Sequence, residues 1–90
     1  MTYELEFDPR ALKEWSKLGD TVKNQFKKKL AGVLANPRVE SARLHNLPDC
    51  YKIKLKASGY RLVYQVQDSV ITVFVIAVGK REKSAAYHDA

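Results

Sequence analysis

The chain has 90 residues, 46% of them hydrophobic and 29% charged, with a formal net charge of +6 and one cysteine. That length allows one core, so a single domain over 1–90 is expected, and the balance of apolar and charged residues excludes a disordered tail. A lone Cys50 excludes an intrachain disulfide, nothing has zinc-ligand spacing, and no cofactor is expected. The basic excess favours nucleic acid, a ribosome, an acidic protein or an anionic membrane surface as partner. The longest apolar run, 70–78, is far short of a membrane span, and residues 1–10 carry Glu4, Glu6 and Asp8 where a leader would be apolar. A cytoplasmic protein without membrane insertion is therefore expected.

Tyr3, Leu5 and Phe7 alternate with Thr2, Glu4 and Glu6, which predicts a half-buried strand over 2–7. Asp8-Pro9 supplies a capping carboxylate and a proline for the first helical position. Leu12, Trp15 and Leu18 are expected on the inner stripe of this helix, and Gly19 at its end. Asp20 is expected to cap a second helix, with Val22, Phe26, Leu30, Val33 and Leu34 on its inner side and Lys27-Lys28-Lys29 on its wet side. Pro37 stops that helix, and the two helices, with one apolar stripe each, suit a helical hairpin packed on a sheet. Residues 37–49 have weak periodicity and two prolines, and read as a loop.

Three strands follow, over 51–56, 60–67 and 70–78, joined by Ala57-Ser58-Gly59 and Gln67-Asp68-Ser69. The last is apolar on both faces and belongs inside the sheet. The order is βααβββ. The predicted fold is an α/β (α+β) two-layer arrangement, with a mainly antiparallel four-stranded sheet packed on a helical hairpin.

Tyr51, Ile53 and Leu55 alternate with Lys52, Lys54 and Lys56, so strand geometry sends the lysines to one face. A plain three-residue loop would set Leu55 opposite Arg61 and mix polar with apolar on both faces. Shifting the register by one, with Gly59 supplying a bulge, groups the lysines with Arg61, Val63 and Gln65. Lys54 and Arg61 then become cross-strand neighbours on the face away from the helices. A solubilising, aggregation-blocking edge is the bland reading of that row; a polyanion site is the sharp one.

These residues also carry a resemblance. The segments Phe7-Asp8-Pro9-Arg10-Ala11-Leu12-Lys13-Glu14-Trp15, Pro48-Asp49-Cys50-Tyr51-Lys52-Ile53-Lys54-Leu55, Ser58-Gly59-Tyr60-Arg61-Leu62-Val63-Tyr64-Gln65-Val66 and Val78-Gly79-Lys80-Arg81-Glu82 resemble the RelE-type toxins of bacterial toxin–antitoxin modules (RelE/ParE superfamily). The resemblance covers nearly the whole chain. It implies a ribosome-dependent mRNA endonuclease (interferase) that cuts message in the ribosomal A site by 2′-hydroxyl attack on the adjacent phosphate. The products would carry 2′,3′-cyclic phosphate and 5′-hydroxyl ends. By that resemblance the catalytic positions are Lys52, Lys54, Arg61, Arg81 and Tyr87, with no metal or cofactor. The implied partners are a RelB-like antitoxin and the 70S ribosome with its mRNA and rRNA; operator DNA would be reached only through the antitoxin.

The residues themselves allow that chemistry. Transesterification needs a base near the 2′-hydroxyl, charge stabilisation at phosphorus and a proton for the leaving oxygen. The two histidines, His45 and His88, fall outside the basic strands. Lysine is a weak base at its ordinary pKa of about 10.4, and crowding by other cations is expected to lower it. Lys54 is the better base candidate because it lies beside Arg61, with Lys52 as the alternate. Arg61 and Arg81 suit clamping of phosphate oxygens. Glu4, Glu6 and Asp8 are read as two outward strand residues and a cap, not as metal ligands. Two other readings stay open: a non-nuclease ParE-like toxin, and a basic RNA- or ribosome-binding module.

Overall fold

The computed structural model describes residues 2–56 and 58–80. A strand β1 (Glu4–Phe7) leads into helices α1 (Pro9–Ser16) and α2 (Asp20–Ala35), followed by strands β2 (Cys50–Leu55), β3 (Tyr60–Gln67) and β4 (Thr72–Lys80). The order is the predicted one. The four strands lie in the sequence β1-β4-β3-β2. The β2–β3 and β3–β4 pairs are antiparallel, whereas β1 runs parallel to β4, so the sheet is mixed. The parallel pair arises because the helical hairpin carries the chain across before β2 begins.

Asp8 caps α1 by accepting a 2.9 Å hydrogen bond from the Arg10 amide, with Pro9 at the first turn. The inner stripe differs by one position from the expected one. Ala11 is buried and Leu12 is 50% exposed. Ala11, Trp15 and Leu18 follow the helical i, i+4, i+7 spacing, and Trp15 packs between Phe7 and Phe26 at centroid distances of 5.3 and 6.0 Å. Gly19 does not end α1 in a left-handed turn. It stands with extended backbone as the N-cap residue of α2, and Asp20 is the first helical residue, where its charge complements the helix dipole. Phe26, Leu30 and Val33 of α2 are buried against the sheet, flanked by partly buried Val22 and Leu34.

One face of the sheet meets the helices through Tyr51, Ile53, Leu55, Leu62, Tyr64, Val66, Val73, Val75 and Val78. Their spacing on β4 is irregular for a reason. Val63 pairs with Ala77 and Tyr64 with Val75, so Ile76 is an extra residue in the ladder. That bulge lets Val73, Val75 and Val78 share a face although their numbers do not alternate. The last strand lies between two others, as its apolar sequence predicts. It starts two residues late, because Asp68–Val70 form a short 3-10 turn that Ile71 closes with φ 49°.

The 37–49 connection is tied down by polar contacts. Arg38 donates to Asp49 and to the Tyr51 hydroxyl, each at 3.2 Å, and to Asp68, which also accepts from the Tyr3 hydroxyl. The Tyr3 and Arg38 contacts hold the Asp68 carboxyl below its usual range. Tyr51 and Tyr64 stack at 5.6 Å, and the buried Tyr64 hydroxyl donates to the Pro37 carbonyl at 2.8 Å. Cys50 is buried, and burial raises its thiol pKa.

Burial, followed by the neighbouring Tyr51, pushes the Tyr64 pKa up to about 12. An unfolded tyrosine titrates near about 10, so the neutral hydroxyl's contribution is complete below that pH. It is lost as the pH rises through about 12. Tyr64→Phe removes this bond but leaves the Pro37 carbonyl its 3.1 Å bond from the Val39 amide, and is expected to lower stability by about 0.5–1.5 kcal/mol at neutral pH. Urea titrations from neutral to alkaline pH test this: the variant starts lower and loses less stability between about pH 10 and 12.

Candidate nucleic-acid interface

The basic row depends on how β2 is held against β3. Their register pairs Leu55 with Tyr60, Lys54 with Arg61, Ile53 with Leu62 and Lys52 with Val63. This is the register predicted from face polarity. The bulge is elsewhere, because β2 stops at Leu55 and β3 begins at Tyr60. Gly59 adopts φ +78° and its amide donates to the Leu55 carbonyl at 2.9 Å. A four-residue connection therefore gives the same pairing that a three-residue loop would need a bulge to reach. Lys56 leaves the strand as a consequence and does not continue the row.

Tyr51, Ile53 and Leu55 are buried on the helix side. On the other side Lys52 is half-exposed, Lys54 exposed and Arg61 half-buried. Residues directly opposite on one face lie about 4.5–5.5 Å apart at Cβ, so the long Lys54 and Arg61 side chains can reach one anion. Lys52 stands one repeat down the strand, about 7 Å from Lys54 at the backbone. Gly79 of β4 lies opposite Arg61, and no described residue comes within 4 Å of the place where its side chain would begin. The sheet surface beside Arg61 is consequently low.

Three clefts meet at Lys54. One of about 260 Å³ is lined by Lys54, Leu55, Lys56, Gly59, Tyr60 and Arg61. A second, about 340 Å³, runs along β2 between Lys52, Lys54 and the α2 residues Lys29, Gly32 and Val33. A third, about 540 Å³, lies between the end of β2 and Lys28 and Lys29 of α2. Among the described residues, no carboxylate lines any of the three. Such a surface attracts a polyanion.

Arg81 and Tyr87, the remaining predicted site residues, lie outside the described residues. β4 ends at Lys80, which pairs with Tyr60 and places its ammonium 5.5 Å from that ring's centroid. Sequence reasoning missed Tyr60 and Leu55 as lining residues, although the Leu55–Tyr60 pairing follows from the register it derived. It also assigned Lys28 and Lys29 to a wet helix face. Gln25, Lys28, Lys29 and Gly32 follow i, i+3, i+4, i+7 spacing beside the buried stripe, the signal that could have found them.

Known proteins share this sequence and fold. Over residues 5–85 the chain matches the family described as ParE toxin of type II toxin-antitoxin system, parDE. It is 63% identical to the mRNA interferase toxin RelE of Escherichia coli (strain K12), over 100% of this chain and 95% of that protein. The crystal structure of the isolated E. coli RelE toxin superposes with a TM-score of 0.87 at 62% identity, covering 97% of this chain and 93% of that one. RelE in the intact E. coli RelBE toxin–antitoxin complex gives 0.85 at 65% identity, with coverages of 87% and 95%. The chain belongs to the RelE-type toxins of bacterial type II toxin–antitoxin systems.

Lys54 is exposed on a strand whose inner face holds the packing, so its replacement is expected to leave the fold intact. Lys54→Gln should change unfolding free energy by no more than about 0.5 kcal/mol. It should weaken binding to a single-stranded 2′-O-methyl RNA and reduce the salt slope by about 0.7. Urea titration and fluorescence anisotropy across a salt series check the two halves.

Proposed function

We propose that this protein is a ribosome-dependent mRNA endonuclease toxin of the cytoplasm, neutralised by a RelB-like antitoxin. The observation that carries the reading is the pairing of Lys54 with Arg61, beside a cleft lined by cations, in a chain so similar to an mRNA interferase. The RNA's 2′-oxygen attacks the adjacent phosphorus; the O2′–P bond forms and the P–O5′ bond breaks. The 2′-hydroxyl proton passes to a neutral lysine, Lys54 first and Lys52 as alternate. Arg61 stabilises charge on the non-bridging oxygens through its planar fork of donors. By resemblance Arg81 joins it and protonates the leaving 5′-oxygen, while Tyr87 helps hold the nucleotides. The products are a 2′,3′-cyclic phosphate and a 5′-hydroxyl, and the proposed step uses no metal.

Lysine and arginine are weak acid–base groups near neutral pH, so the rate must come largely from substrate geometry. Fixing attacking and leaving oxygens in line can supply roughly 7–11 kcal/mol, and a ribosome-bound message is held in a way free RNA is not. The match to ParE toxins supports a second reading, a toxin of the same fold that does not cut RNA. The full-length identity to an mRNA interferase favours the nuclease.

Programmed ribosomes and naked oligonucleotide of the same sequence separate these readings. Message on ribosomes is expected to be cut far faster, leaving 5′-hydroxyl ends; equal rates would overturn ribosome dependence. Arg81→Ala is expected to lose cleavage and keep ribosome binding. Intact message in every reaction, with or without the substitution, would favour the non-nuclease toxin.

A further inference from the structure

Lys54 lines both the cleft that contains Arg61 and the larger cleft against α2. An RNA strand seated at the first therefore leads directly to the second. We propose that the α2–β2 cleft seats a backbone phosphate of that same strand, next to the scissile linkage, with Lys28 and Lys29 as its positioning residues. The inference rests on the nuclease reading and adds to it a second point of hold on the substrate.

The lining supports a phosphate occupant. Gln25, Lys28 and Lys29 come from one side and Lys54, Leu55 and Lys56 from the other, in a space of about 540 Å³. Four lysines converge without a carboxylate among these lining residues, a like-charge arrangement that an anion relieves. Ammonium groups on flexible stems hold phosphate as point charges without reading the base, as a contact along an arbitrary message requires. Lys56 contributes because β2 ends before it, which frees it from the strand's alternation. The buried stripe of Phe26, Leu30 and Val33 fixes the rotation of α2. An acidic peptide of the antitoxin would suit the neighbouring cleft better, where Val33, Val39, Ala42 and Ile53 give an apolar floor. Among the described residues, the proposed cleft has Leu55 alone for that purpose.

The test uses full-length protein, programmed ribosomes and synthetic messages with single neutral methylphosphonate linkages at successive positions either side of the cut. Lys28→Ala/Lys29→Ala is expected to lower kcat/KM on the unmodified message by roughly three- to tenfold. Its thermal unfolding should not change, and Lys28→Arg/Lys29→Arg should restore the rate. At one linkage, neutralisation should slow the unsubstituted protein by a similar factor and the alanine variant no further. Losses that multiply at every linkage would overturn the proposal and send these lysines to ribosomal RNA. An unchanged rate with weakened antitoxin binding would overturn it in favour of an acidic peptide. If the unsubstituted protein cuts no message on ribosomes, the nuclease reading itself fails, a separate result.

Discussion

The register between β2 and β3 is the constraint on which the rest depends. Gly59 at φ +78° allows the turn, and no described residue crowds it, so among these residues the barrier to another side chain there is conformational and not steric. A left-handed backbone penalises most residues by about 1–2 kcal/mol. Slipping the register by one would carry Ile53 and Leu55 out of the core, at about 1.5–3 kcal/mol for each buried side chain. The packed face therefore decides the pairing, and the glycine eases it. Lys54 meets Arg61 because hydrophobic residues on the opposite side leave no other register.

The two faces of the sheet then divide the molecule's tasks. The helix side holds the side chains that exclude water, with Phe26, Leu62, Tyr64, Val73 and Val75 fully buried. The other side and the outer edge of β2, bridged only at its start by Arg43 among the described residues, carry the cations. A charged edge also discourages pairing with another sheet, so the bland and the sharp interpretations of the lysine row are compatible. Arg38 secures the arrangement from the far end, holding Asp49 and Tyr51 where β2 begins. Asp49 itself sits at φ 60°, and its carbonyl accepts from the Val66 amide at 2.9 Å. The strand bearing the lysines is thus anchored at its head by polar contacts and along its length by packing.

Element order, the α1 cap and the Lys54–Arg61 pairing were legible in the sequence because each rests on a strong local signal. Asp8-Pro9 has one good use, and the alternation from Tyr51 to Lys56 has one favourable face. Errors fell where two short-range cues compete. Leu12 is more apolar than Ala11, but only Ala11 keeps helical phase with Trp15 and Leu18. Val70 and Ile71 look like strand residues yet turn the chain, since the β3–β4 connection needs them more than the ladder does. Lys56 follows the alternating pattern but is spent on the turn. The parallel β1 depends on tertiary placement, which no local pattern encodes, whereas the helical spacing of Lys28 and Lys29 places them beside the buried stripe without saying which strand they face.

Ile76, the extra residue in the ladder, sets which way the end of β4 faces. Counting by twos from Val73 and Val75 would turn position 77 inward and position 78 outward. Because the ladder skips one place, Val78 faces the helices and Gly79 lies level with Arg61 on the opposite side. The inserted residue acts as a parity switch for the last part of the strand. It leaves the flat, side-chain-free step of Gly79 beside the guanidinium, where the uninterrupted count would set the larger Val78 against it.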